Sequence, residues 1–172
     1  LNPIVHVLIT GATGYIGRAV TCRLLADGHA VTAMVRRHDT DLPAQADRWL
    51  VPDICELPPD SAQRLQSVHC VIHCAARVHV MRETQAVPID AFRKVNVDAT
   101  LTLAQQAAAA GVQRFVFLST IGIHGADSRC GAFRHDDPPR PQSPYAVSKL
   151  EAEQALDTLA SRTVMQTIHI RP

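Results

Sequence analysis

The stretch GATGYIG, residues 11 to 17, follows the apolar run IVHVLIT and precedes RAVTCRLLADGH, in which apolar residues recur at helical spacing. A strand that hands over to a helix through glycines three apart is a narrow constraint. Gly11 can adopt backbone angles closed to other residues, and Gly14 lets the main chain approach a bulky anion with no Cβ in the way. Gly17 is expected to let the helix pack close to the sheet. The N–H groups of the first turn, from Thr13 through Tyr15, Ile16 and Gly17, then lack intrahelical partners and point at the anion. The run reads as a cradle for a dinucleotide pyrophosphate, although its G-x-x-G-x-x-G spacing departs from G-x-G-x-x-G and a ligand-free turn could carry the same glycines.

Short apolar runs alternate with helical patterns along the rest of the chain. Strands are expected over Val5–Thr10, Ala30–Val35, Arg48–Val51, Cys70–Ala75, Arg114–Ser119 and Thr163–Ile170, and helices over Tyr15–Asp27, Ser61–Gln66, Ala91–Ala110 and Pro144–Ala160. CVIHCAA and FVFLS are continuously apolar, as strands buried on both faces are. Gly28 and Gly111 close helices just before strands. The expected fold is α/β, a Rossmann-type doubly wound parallel sheet with helices on both faces and strand order 3-2-1-4-5-6, forming one domain over residues 1–172. The one long irregular stretch is GIHGADSRCGAFRHDDPPRPQS, a loop of the length that is often functional.

Composition removes several classes of function. A net charge of +1 gives no electrostatic reason for a nucleic acid or an acidic membrane as partner. No apolar run is long enough to span a bilayer and the N-terminus lacks the pattern of a signal peptide, so a cytoplasmic location is expected. Cys22, Cys55, Cys70, Cys74 and Cys130 form no C-x-x-C pair and suit reduced thiols. The nine histidines are scattered without ligand spacing, and no metal site is expected.

The second strand decides the cofactor. An acidic residue about 20 positions past the glycines would bind a ribose 2′-hydroxyl. VTAMVRRHD instead ends in Val35, Arg36 and Arg37, and a guanidinium pairs well with a 2′-phosphate, so NADP is favoured with NAD as the second choice. Asp53 in VPDI, followed by Ile54, sits where a carboxylate would accept from the adenine amino group or cap the following turn. In SPYAVSKLEAEQAL, Tyr145 and Lys149 are four apart and share a helical face. The ammonium would stabilise a phenolate, so that the pair could exchange a proton with a substrate oxygen; alone, the same spacing also suits an exposed surface pair. Thr120, at the carboxyl edge of the fifth strand, would hydrogen-bond that oxygen or cap a turn.

LITGATGYIGRAV, PDI, VIHCAA, VNVDAT, RFVFLSTIGIHG and SPYAVSKLEAE, in that order, resemble the extended short-chain dehydrogenase/reductase superfamily in its NAD(P)-dependent nucleotide-sugar epimerase/dehydratase branch. The resemblance implies that Tyr145 is the catalytic acid/base, Lys149 its activator and a ribose ligand, Thr120 a substrate contact and Asn96 a support near the site. It places Cys74, Ala75 and Ala76 beside the nicotinamide ribose and phosphates. AARVHVMRET and DDPPRPQSPYAVSK look like 4-keto-sugar reductases or epimerases of UDP-N-acetyl-hexosamines in polysaccharide synthesis. The expected partner is a nucleotide sugar, preferably a UDP-sugar, with a homodimer as the assembly to test. His124 stands where the family commonly has tyrosine, and family members continue past the position of Pro172 into a region that holds the nucleotide sugar. A non-catalytic NADP-binding regulator and a ligand-free scaffold are the competing readings.

Overall fold

The computed structural model describes residues 3–38, 41–78, 89–128 and 131–172. Asp39, Cys130 and most of the VHVMRET segment lie outside the described residues. Six strands form one sheet in the order β3-β2-β1-β4-β5-β6. They are β1 (His6–Thr10), β2 (Ala30–Val35), β3 (Asp47–Leu50), β4 (Cys70–His73), β5 (Arg114–Leu118) and β6 (Gln166–Ile170), and every neighbouring pair is parallel. The order reverses between β1 and β4, so the carboxyl ends of these two strands form the crevice of a doubly wound fold.

Side chains alternate between the two faces of the sheet. Leu8, Val71, Phe115 and Phe117 pack against α2 (Ser61–Leu65), α4 (Thr100–Ala109) and α5 (Pro144–Ala160) through Leu65, Leu103, Ala107 and Leu156. Burying side chains of this size stabilises the fold by roughly 1.5–3 kcal/mol each. On the opposite face Val7, Ile9, Val31 and Ala33 meet Val20, Leu24 and Leu25 of α1 (Tyr15–Ala26). That second cover is narrower: Ile168 and Ile170 of β6 remain exposed.

Element bounds differ from the sequence expectation where hydrogen bonds are redirected. β6 starts at Gln166 rather than Thr163 because Ser161 and Arg162 still donate to Asp157 O and Leu159 O, closing α5. β4 stops at His73 because the Ala75 amide turns to the Thr10 hydroxyl, 3.2 Å away. The helix expected over Ala91–Ala110 begins earlier, as α3 (Ile89–Arg93), and widens into a π-helical segment over Lys94–Ala99 before α4. Such segments are inserted turns that re-aim side chains, and this one turns Asn96 fully inward.

Candidate active site at the carboxyl edge of the sheet

The glycine turn is built as the spacing requires. Gly11 has φ +65°, and a Cβ there would sit 2.7 Å from the Ala75 amide nitrogen and 2.8 Å from the Cys74 carbonyl carbon. The turn therefore lies directly against the chain leaving β4. Gly17 departs from expectation: a Cβ on it would strike the Gly11 carbonyl oxygen and come within 3.0 Å of Ala12 Cα, so it packs against the turn rather than against the sheet. Gly14 is the N-cap of α1 and offers no side-chain cap, and the first turn carries no acidic residue. Its free N–H groups fit an anion.

Beside this turn opens a cavity of about 550 Å³. Gly11, Thr13, Gly14, Val35, Arg36, Asp53, Ile54, Cys74, Ala75 and Ala76 line it, together with Thr10, Met34, Val51, Pro52, Arg77 and Val95, which sequence reasoning missed. Apolar walls from β2 and the segment after β3, with a basic group at the rim, suit an adenine and a charged ribose substituent. Tyr15, Ile16, Gly17, Tyr145 and Lys149 do not line the cavity. Tyr15 points into solvent at 95% exposure, so only its backbone is available to the cradle. Asp53 does cap its turn, accepting from the Cys55 amide at 2.9 Å, and that bond holds its carboxyl below the usual range. Its second oxygen has no partner among the described bonds.

Thr10, His73 and Thr100, missed from the sequence, tie the crevice together with Asn96, which the resemblance places near the site. The Thr10 hydroxyl accepts from the Ala75 amide and lies 2.8 Å from His73 Nδ1, while His73 Nε2 lies 2.9 Å from the Thr100 hydroxyl. Both ring nitrogens are thus held by threonine hydroxyls. Burial, with the Lys149 charge adding to it, pulls His73 down to about 3. The ring is a neutral brace between β1, β4 and α4. Asn96 makes a second brace: its side chain accepts from Arg77 N at 2.8 Å and donates to Arg77 O and Ser148 Oγ, both at 3.0 Å. It thus fastens the loop after β4 to α5.

Tyr145 and Lys149 do share one face of α5, whose start is fixed by Ser143 accepting from Ala146 N and by Pro144 at the first position. Lys149 is 1% exposed, and its Nζ lies 3.8 Å over the Phe117 ring. Burial pulls the ammonium down to about 7, against upward contributions from Cys74 and Glu153. Burial raises the Tyr145 phenol above its usual value. Thr120 Oγ1 caps the short 3-10 turn Ile121–Ile123 by accepting from Gly122 N at 3.1 Å, which leaves its proton to donate. The same turn packs on the start of α5, where a Cβ on Gly122 would lie 3.7 Å from Ala146 Cβ. Among the described residues no cluster of His, Cys, Asp and Glu is grouped as metal ligands.

Parallel strands in doubly wound order, with a glycine turn at the switch point and helices on both faces, define a Rossmann-type fold. The chain belongs to the NAD-dependent epimerase/dehydratase family, whose model matches residues 7–172, within the extended short-chain dehydrogenase/reductases. It is 34% identical over 169 residues to the UDP-glucose 4-epimerase of Vibrio cholerae, covering 96% of this chain and 50% of that protein. It is 32% identical over 160 residues to the dTDP-glucose 4,6-dehydratase of Streptomyces griseus, covering 86% and 47%. The solved structure of MoeE5 in complex with UDP-glucose and NAD superposes with a TM-score of 0.82 at 32% identity, covering 96% of this chain and 53% of that one. The chain thus spans about half the length of these relatives.

Proposed function

We propose that this chain is the cofactor-binding and proton-transferring half of an NADP-dependent oxidoreductase or epimerase acting on a nucleotide sugar, a UDP-sugar by preference, at the sugar 4-position. The observation that carries the reading is Lys149, an ammonium buried over Phe117 one helical turn from Tyr145, with no carboxylate at ion-pair distance among the described residues. Burying such a charge is costly unless the site uses it. UDP-glucose and NAD bound to MoeE5, and the activities named for the relatives, support the substrate and cofactor class.

The cradle fits the pyrophosphate because its first-turn amides are uncapped and no Cβ obstructs Gly11. Arg36 at the rim would hold a 2′-phosphate. When bound, the nicotinamide supplies or accepts the hydride. Tyr145 gives a proton to, or takes one from, the oxygen on the sugar carbon, and Thr120 donates its free hydroxyl proton to that same oxygen. Lys149 binds ribose hydroxyls and stabilises the phenolate, and it keeps its proton more readily once negative charge lies nearby. Asn96 ties Arg77 and Ser148 together and so supports the segment after β4 beside the helix that carries Tyr145 and Lys149. A location in the cytoplasm and a homodimeric assembly belong to the same reading.

The test uses the full-length protein. Tyr145→Phe is expected to lower turnover of a UDP-sugar at least about a hundredfold, the usual size of an acid/base contribution, with NADPH affinity by fluorescence near wild type. Retention of most activity would sink the mechanism and leave a cofactor-binding regulator as the better reading.

A further inference from the structure

Tyr145, Lys149 and Glu153 recur at intervals of four on α5, so the helix presents a phenol, an ammonium and a carboxylate in one stripe. Glu153 is 3% exposed. Its carboxylate is gripped from β6's end by Arg171, with Nε to Oε1 at 3.0 Å and Nη2 to Oε2 at 2.7 Å. The remaining guanidinium nitrogen, Nη1, donates to His124 Nε2 at 3.2 Å and to the His135 carbonyl at 2.9 Å. A guanidinium only donates, so Nε2 accepts and the His124 proton lies on Nδ1. His124 follows the Thr120 turn and stacks on Phe133.

We propose that Glu153 and Arg171 act as a positioning pair for Lys149, with Glu153 placing a buried negative charge one helical turn beyond the ammonium and Arg171 setting how much of that charge Lys149 feels. Arg171's third nitrogen also pins the turn that carries Thr120, so one guanidinium serves both ends of the proton path. The assignment rests on the functional reading of Lys149 given above, but its physical content concerns the charge alone. Burial would raise the Glu153 carboxyl, and Arg171 holds it below the usual range, so the carboxylate stays ionised. The other titratable or charged groups that face Lys149 or this pair are Tyr145 on α5, His73 and Cys74 at the end of β4, His169 on β6 and His124 after the 3-10 turn. His169 is bonded to Asp157 at 2.8 Å, and the Arg93–Glu151 pair lies on the α3 side of α5.

In the full-length protein labelled with 13C at lysine Cε, the Lys149 signal is assigned by its loss in Lys149→Arg and titrated, with exposed Lys94 as the internal control. Glu153→Gln leaves a bare guanidinium nearby and should lower the Lys149 midpoint; Arg171→Met leaves a bare carboxylate and should raise it. Shifts of roughly half to one pH unit are expected for charges about one helical turn apart. The double variant should return close to wild type, and Arg171→Lys, which keeps the charge but loses the fork, should lie between Arg171→Met and wild type. Should Arg171→Met fail to fold, Glu153→Gln and Arg171→Lys carry the test by themselves. Shifts of the same sign in both single variants, or none, overturn the proposal, since a purely structural tie has no reason to move Lys149 in opposite directions. In the full-length protein the pH limb of turnover should follow the Lys149 midpoint. If the midpoint moves as expected and the limb does not, the pair stands and the oxidoreductase reading of Lys149 fails.

Discussion

The nucleotide end and the proton end of this crevice are built by opposite means. At the nucleotide end the work falls to backbone: Gly11 and Gly14 open the turn at the start of α1, and Thr13, Arg36 and Asp53 stand exposed at the rim. At the proton end it falls to side chains taken out of water: His73, Asn96, Lys149 and Glu153 are each buried to 3% exposure or less. The first arrangement asks for shape and little electrostatic energy. The second holds an ammonium and a carboxylate in the interior, where each is costly without a partner or a use. A turn of the first kind fails by steric collision, whereas a cluster of the second kind responds to pH.

The largest expected effect breaks the nucleotide end. In Gly11→Ala the new Cβ meets backbone atoms at 2.7 and 2.8 Å and the residue must keep φ +65°, so neither side can yield cheaply. We expect a loss of about 2–4 kcal/mol in unfolding free energy and at least a hundredfold weaker dinucleotide binding. Gly28→Ala serves as the control: its φ is also positive, at +84°, but nothing lies within 4 Å of its Cβ, so it should cost only about 1 kcal/mol and leave binding intact. Equal damage from both would mean that φ, rather than close approach to the chain after β4, is what Gly11 supplies.

The next effect separates stability from activity at the proton end. Lys149→Met fills the same space without a charge and should stabilise the chain at pH 6 by about 1–3 kcal/mol while abolishing turnover of the full-length protein. The sign follows from linkage. Burial lowers Lys149 from 10.5 to about 7 in the folded chain, so between those values the unfolded chain binds more protons than the folded one. Wild-type stability should therefore rise with pH through that window, by up to about 1.4 kcal/mol per unit from this group, and fall as pH drops toward 7. Urea melts of wild type and variant at pH 6, 7.5 and 9 measure it. A wild-type slope matching the variant's would show that Lys149 is not held neutral by burial.

The same division explains what the sequence revealed. The cradle, the Arg36 rim, Asp53 and the Tyr145–Lys149 spacing are local patterns in which one stretch of chain holds all the geometry. The sheet order was legible for a similar reason, since alternating apolar runs and helices leave few parallel arrangements. The His73 brace was not, and Asn96 was found through the family resemblance alone. Thr10, His73 and Thr100 meet across 27 and 63 residues of chain, and no spacing rule joins a threonine ending one strand to a histidine ending another. The π-helical turn around Asn96 has no compositional signature in KVNVDA. Asp53 and Thr120 show the limit from the other side. Both cap the turns that follow them, as short polar residues do, and the cap leaves a second oxygen on Asp53 and a free proton on Thr120 for other partners. Glu153 lies four residues past Lys149, a spacing visible in the sequence, but its meaning depends on Arg171, which reaches it from the end of β6.

The smallest expected effect sharpens the nucleotide end by asking what its exposed rim contributes. Arg36 lies just past Val35, which is 2% exposed and ends β2, so its side chain leaves a rigid strand at the cavity edge where an acidic residue would repel a 2′-phosphate. Arg36 lines the cavity, as Arg77 does from the segment after β4, whereas Arg18 lies outside it, paired with Asp41 at 2.8 Å. A charge-assisted bond made at an exposed rim is worth less than a buried one. Arg36→Ala should therefore weaken NADP by about 1–2 kcal/mol, roughly five- to thirtyfold in Kd, and leave NAD nearly unchanged. The difference between the cofactors should also shrink as salt rises from about 0.05 to 0.5 M, because exposed charge pairs are screened while the amides of the glycine turn are not. Equal losses for NADP and NAD would assign Arg36 to the fold of the rim, and a wild-type chain that binds NAD more tightly than NADP would reverse the cofactor choice while leaving the cradle and the Tyr145–Lys149 helix in place.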